Sequence, residues 1–148
     1  MIEIFETDDY QELVSFFIIN GLEFSEEDKT ETVPTDIVKL WRAIDTDSGK
    51  LVGGCVLAKR EGEFICDGIA ADPGVRGQRV GEKLLYMMED EARSLGADRI
   101  YLVARAPGFF AKYNYIPVSR ENAPEFFECF SCPQYGVSCH PEVMRHSL

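Results

Sequence analysis

A chain of 148 residues is long enough for one domain with its own core, so a single domain over residues 1–148 is expected. A net charge of −11 opposes general binding to nucleic acid or to an anionic membrane, and suits a cationic partner such as an amine. No segment is long and apolar enough to span a membrane, and the acidic start Met1-Ile2-Glu3-Ile4-Phe5-Glu6 lacks the basic region of a secretion signal; the cytoplasm is the expected location.

In chain order, Ile2 to Glu6 alternates apolar and acidic residues, which predicts a strand. Asp8 or Asp9 can cap the helix that follows, with Gln11 or Glu12 three residues on forming a capping box. Tyr10, Leu13, Val14 and Phe17 form its inward stripe, and Asn20-Gly21 ends it. Phe16 and Ile18 spread apolar character beyond one face, which suits contact with a substrate or partner. Residues 22–35 are acidic and irregular, with room for one helical turn around Ser25 to Lys29. Ile37 to Asp45 and Leu51 to Lys59 are strands joined by the turn Asp47-Ser48-Gly49-Lys50. Arg60-Glu61-Gly62 turns into a third strand from Glu63 to Ala71.

Asp72-Pro73-Gly74 then leads into Val75-Arg76-Gly77-Gln78-Arg79-Val80-Gly81 and an amphipathic helix. Gly81, Leu85, Met88, Ala92 and Leu95 fall on one face; Glu82, Lys83, Glu89, Asp90 and Arg93 take the other; Gly96 is the stop. A glycine-containing basic loop that opens a helix is the recipe for a phosphate cradle, because glycine admits close approach and the free N–H groups of the first turn favour anions. The loop lacks the Gly-Lys-Ser/Thr ending of a P-loop, and Gly77-x-x-x-Gly81 does not satisfy the dinucleotide pattern G-x-G-x-x-G. Ile100 to Val103 is a short strand. Pro107 starts a helix carrying Phe109, Phe110 and Tyr113, which Tyr115-Ile116-Pro117-Val118 leaves. Glu125 to Ser131 and Ser138 to Arg145 complete the strands.

Arg76-Gly77-Gln78-Arg79-Val80-Gly81 resembles motif A of the GNAT superfamily of N-acetyltransferases, Gln/Arg-x-x-Gly-x-Gly/Ala, with Arg79 in place of the middle glycine. The segment Pro107 to Tyr115 is similar to motif B, with Lys112, Asn114 and Tyr115 at its Lys, Gly and Phe places. The element order also resembles GNAT order over nearly the whole chain. The resemblance implies an α/β (α+β) GNAT fold: a mixed, mostly antiparallel sheet of six to seven strands with helices on both faces. It implies acetyl-CoA as the cofactor, held between two splayed strands, with backbone groups of Ile69 and Ala71 offered to pantetheine. Arg76, Gly77, Gln78, Val80 and Gly81 would surround the pyrophosphate, and Arg79 would add a side chain there.

The reaction so implied is direct attack of a primary amine, from a small molecule or a protein, on the thioester. It needs a base, stabilisation of the oxyanion and a proton for the thiolate. Glu63 and Asp67 share a strand face and are the candidate bases. An N–H near Ile69 would meet the oxyanion. Phe110 stands at the family's usual tyrosine place, so Tyr113 is the candidate proton donor, with packing as its other reading. Two rival functions remain: a non-catalytic acyl-CoA binder, suggested by Phe110 and Arg79, and a metal- or redox-linked interaction protein. The latter would use Cys129-x-x-Cys132 with Cys139-His140, although the adjacent second pair suits one tetrahedral metal site poorly, and reduced structural cysteines are favoured. Cys55 and Cys66 read as small core residues. The family habit of pairing makes a homodimer an open expectation.

Overall fold

The computed structural model describes residues 1–20, 36–75, 78–104, 107–118 and 142–148. The segment 22–35, Gly21, Arg76, Gly77, the strand at Glu125 to Ser131, and Cys129, Cys132, Cys139 and His140 lie outside the described residues. Among the described residues, seven strands form one sheet in the order β1-β2-β3-β4-β5-β7-β6. They are β1 (Ile2–Thr7), β2 (Asp36–Asp45), β3 (Lys50–Arg60), β4 (Glu63–Ala71), β5 (Arg99–Ala104), β6 (Ile116–Pro117) and β7 (Glu142–Ser147). Every pairing is antiparallel except that of β4 with β5. This is the mixed sheet anticipated.

Helix α1 (Tyr10–Ile19) begins where Asp9 Oδ1 accepts the Glu12 N–H at 3.1 Å. Only half of the capping box forms, because the Glu12 carboxylate instead accepts from Arg42 Nη1 at 3.2 Å on β2. Leu13, Phe16 and Phe17 pack on Leu40 and Val56 over one sheet face, so Phe16 is core, while Ile18 and Ile19 remain exposed. Helix α2 (Val80–Ser94) covers the other face, where Val80, Leu84, Leu85 and Met88 meet Cys55, Leu57 and Cys66. Adjacent glycines at the centre of β3 admit both helices. A Cβ on Gly53 would stand 2.8 Å from Val80 Cγ1, and one on Gly54 would stand 2.7 Å from Leu13 Cδ2.

The inward face of α2 differs from the periodicity reading at two places. Leu95 lies beyond the helix and is 51% exposed, whereas Glu89 is 2% exposed. The Glu89 carboxylate tolerates burial because the Tyr115 hydroxyl donates to its Oε2 at 2.8 Å and His146 Nε2 lies 3.9 Å from the same oxygen. Tyr115 stacks on His146, and α3 (Pro107–Ala111) precedes this segment. Burial, followed by Glu89, pushes the Tyr115 phenol well up, so it stays a donor.

Candidate active site

The parallel pair of strands that makes this sheet mixed also opens it. β4 and β5 are in register at Ile65↔Tyr101 and Cys66↔Leu102 only, yet β4 continues to Ala71 and β5 to Ala104. The two strands therefore fork. On its far edge β4 remains paired to β3 from Arg60↔Glu63 to Gly53↔Ala71, with one register shift at Asp67. The Asp72 N–H continues that ladder by donating to Val52 C=O at 2.8 Å. Alternation along an antiparallel strand then turns the N–H and C=O groups of Ala71 and Ile69 away from β3, into the fork. The side chains of both residues pack with the core under α2.

At the open end of the fork, Asp72 folds the chain. Its Oδ1 accepts the Gly74 N–H at 2.7 Å, and its Oδ2 lies 3.1 Å from Lys50 Nζ. The Gly74 N–H, with Lys50 second, holds the Asp72 carboxyl below its ordinary range. After a 3₁₀ turn at Pro73–Val75, the Gln78 N–H donates to Val75 C=O at 3.1 Å, so that N–H is engaged within the loop. Arg79 then takes the left-handed conformation, φ 57° and ψ 35°, as the N-cap of α2. It supplies no side-chain cap, and the first helical bond runs from the Lys83 N–H to its carbonyl at 3.0 Å. The N–H groups of Val80, Gly81 and Glu82 are thus those that a helix start leaves without helical partners. They form an anion-favouring end with a cation above them: the Arg79 side chain is 76% exposed, its Nε 3.9 Å from Glu82 Oε2.

The left-handed backbone at Arg79 explains why glycine stands here in the motif this loop resembles, and what the substitution keeps. The bond geometry of the loop is retained and the side chain is directed outward. Asn114, at the glycine place of the second motif, behaves alike with φ 71°; asparagine tolerates this region better than most residues. Gly81 has a reason beyond ligand approach. A Cβ there would stand 3.4 Å from Phe109 Cζ, so the ring from α3 lies against the first turn of α2, placing the chain after β5 across from β4. Phe110 is 8% exposed and packs edge-on to Phe109 and Tyr115.

The three candidate proton-transfer residues are not brought together. Glu63 lies at the closed end of β4, where Arg99 Nε and Nη2 donate to its two carboxylate oxygens at 3.1 and 2.5 Å. At about 3.3 Å per residue it stands about 20 Å along the strand from Ile69. Asp67 is the first residue past the last β4–β5 pair, at the apex of the fork, and its Oδ2 accepts from the Tyr10 hydroxyl at 3.1 Å. Tyr113 sits beside the first turn of α2, packed against Phe109 and Tyr86, and its hydroxyl donates to Glu82 Oε2 at 3.3 Å. Burial, then the Glu82 carboxylate, raises the Tyr113 phenol above its ordinary value, so it holds its proton. The contact of Tyr10 with Asp67 is not legible in the sequence, because periodicity assigns Tyr10 to the inward stripe of α1 and nothing local marks a hydroxyl partner 57 residues away. Among the described residues no group of three His, Cys, Asp or Glu is placed to hold a metal ion. Cys55 and Cys66 are buried thiols of the core, and burial, then Cys66, pushes the Cys55 thiol well up.

Comparison with known proteins places this geometry. The sequence pattern of the acetyltransferase (GNAT) family matches residues 10–115. A GNAT-family acetyltransferase from Staphylococcus aureus Mu50 shares the fold over 100% of this chain and 99% of its own, with a TM-score of 0.70 at 20% identity. The ribosomal-protein-S18-alanine N-acetyltransferase of Escherichia coli does so over 99% and 94%, with a TM-score of 0.64 at 16% identity. N-acetylglutamate synthase from Neisseria gonorrhoeae, solved with coenzyme A and N-acetyl-glutamate, aligns with 100% of this chain over 35% of its own length, with a TM-score of 0.69 at 18% identity. The family pattern spans most of the chain and includes both the fork and the start of α2; this chain belongs to the GNAT family of acetyltransferases.

Proposed function

We propose that this protein is an N-acetyltransferase that moves an acetyl group from acetyl-CoA to a primary amine by direct attack. The observation that carries the reading is the fork between β4 and β5, ending at a helix start whose N–H groups have no helical acceptor. The fit to coenzyme A is good on the chemistry of these groups: a peptide-like edge at Ile69 and Ala71 for an amide-containing arm, and N–H groups at Val80, Gly81 and Glu82 with the Arg79 guanidinium for a diphosphate. The thioester supplies the activated acyl group.

The residues then divide the work. Asp67 takes a proton from the incoming amine at the apex of the fork. Glu63 is bound by Arg99 outside the fork, so the base role rests with Asp67. The Ile69 N–H points to where negative charge gathers on the carbonyl oxygen. Tyr113, beside the first turn of α2, keeps its proton and serves as donor to the sulfur. The surplus of acidic residues favours a cationic acceptor, reached in the cytoplasm.

A second reading, an acyl-CoA binder without catalysis, is favoured by two observations: Phe110 is buried without a hydroxyl, and the Tyr113 hydroxyl is already bonded to Glu82. Thiol release from acetyl-CoA separates the two, with spermidine, L-glutamate and an alanine-initiated peptide as acceptors. The transferase reading expects release with at least one, and a fall in kcat of about 10²–10⁴ for Asp67→Asn, the usual contribution of a general base. Glu63→Gln should leave kcat within a few-fold. Coenzyme A binding with no release from any acceptor would establish the binder.

A further inference from the structure

Asp67 stands at a slip in the ladder. The register between β3 and β4 shifts between Val56↔Gly68 and Leu57↔Cys66, leaving Asp67 as the extra residue of a bulge. A bulge bends the strand and re-aims a side chain. Its effect shows in the packing: Cys66 and Ile69, three apart, both face the core beneath α2, whereas a regular strand would send them to opposite faces. Ala70 packs on the α1 side, and Asp67 turns to that side too, where Tyr10 meets it.

Tyr10 is well placed to hold something. It is the first residue of α1, next to the Asp9 cap, and Leu13 and Phe17 of the same helix are seated on Gly54 of β3. Its ring is partly buried against the cluster formed by Leu13, Phe17, Leu40 and Val56. The hydroxyl thus comes from a rigid element and donates to Asp67 Oδ2 at 3.1 Å, one residue beyond the last β4–β5 pair.

We infer that Tyr10 is a positioning residue for acetyl transfer: its hydroxyl fixes the Asp67 carboxylate at the apex of the fork for proton abstraction from the attacking amine. This rests on the transferase reading above. A side chain that acts through another has a distinct kinetic signature, because its loss adds nothing once the partner is gone.

The test is a four-protein cycle of wild type, Tyr10→Phe, Asp67→Asn and the double variant, assayed by thiol release from acetyl-CoA with whichever of the three acceptors is used fastest. Tyr10→Phe keeps the ring and its packing. The expected result is a fall in kcat of about tenfold, part of the full contribution of a general base. The KM for acetyl-CoA should stay unchanged, the melting temperature should fall by no more than a few degrees, and the double variant should be no slower than Asp67→Asn alone. An unchanged kcat, additive losses, or a raised KM for acetyl-CoA would overturn the inference while leaving the transferase reading intact. Wild-type protein that releases no thiol with any acceptor would overturn that reading and the inference with it.

Discussion

Arg79→Gly separates the two things that Arg79 does. In the free protein the residue is held at φ 57° and ψ 35°, a conformation that costs a non-glycine residue about 1–2 kcal/mol. The compensations are small. The guanidinium is 76% exposed and its Nε lies 3.9 Å from Glu82 Oε2, an ion pair worth at most about 1 kcal/mol. It also places a cation at the positive end of α2, which is mildly unfavourable. No side-chain cap is lost. The variant should therefore gain about 1 kcal/mol, a rise in melting temperature of about 2–4 °C for a chain of this size. Coenzyme A binding should move the other way, weakening about fivefold if the guanidinium contributes about 1 kcal/mol at the diphosphate. Thermal unfolding without ligand and calorimetric titration with coenzyme A read the two effects separately. A variant that melts lower would refute the strain argument, and an unchanged dissociation constant would refute the phosphate contact.

Three further outcomes follow from contacts elsewhere. Tyr115→Phe removes the hydroxyl that donates to the buried Glu89 carboxylate and should destabilise by about 2 kcal/mol, read from urea unfolding; a neutral result would mean that Glu89 does not depend on it. Gly54→Val should push α1 off β3 and lower stability by about 2 kcal/mol, because a Cβ alone already meets Leu13 Cδ2 at 2.7 Å; an unchanged midpoint would show that Leu13 gives way freely. Asp72 has a folded value below its ordinary one, so its contribution is complete above about pH 4 and disappears as pH falls through the folded value. Wild-type stability should therefore fall more steeply below about pH 4 than that of Asp72→Asn, and parallel curves would show the Gly74 and Lys50 contacts to be inert.

What local pattern encodes, the sequence made legible. The Asp9 cap, the hairpin of β2 and β3, β4 from Glu63 to Ala71, and a basic loop opening an amphipathic helix all follow from neighbours within a few residues, and the family follows from their order. The site is less legible because its side chains are set by partners far along the chain. Periodicity placed Glu89 among the solvated charges, since Tyr115 and His146 lie 26 and 57 positions on. In the sequence Glu63 reads as available as Asp67, because Arg99, which binds it, lies 36 residues further on. A one-residue slip between two strands leaves no local mark, yet it falls at Asp67 and brings Ile69 to the face of Cys66. Glycine in the motif pattern names a backbone requirement, which Arg79 and Asn114 meet without being glycine.

On the proposed function, coenzyme A docks along the fork and ends on the first turn of α2. Amide chemical-shift mapping during titration with coenzyme A tests it most directly. Saturable changes should be largest at Val80, Gly81 and Glu82 and at Ile69 to Ala71, with β1 and the hairpin of β2 and β3 little affected. Shifts centred elsewhere, or none at millimolar coenzyme A, would contradict it.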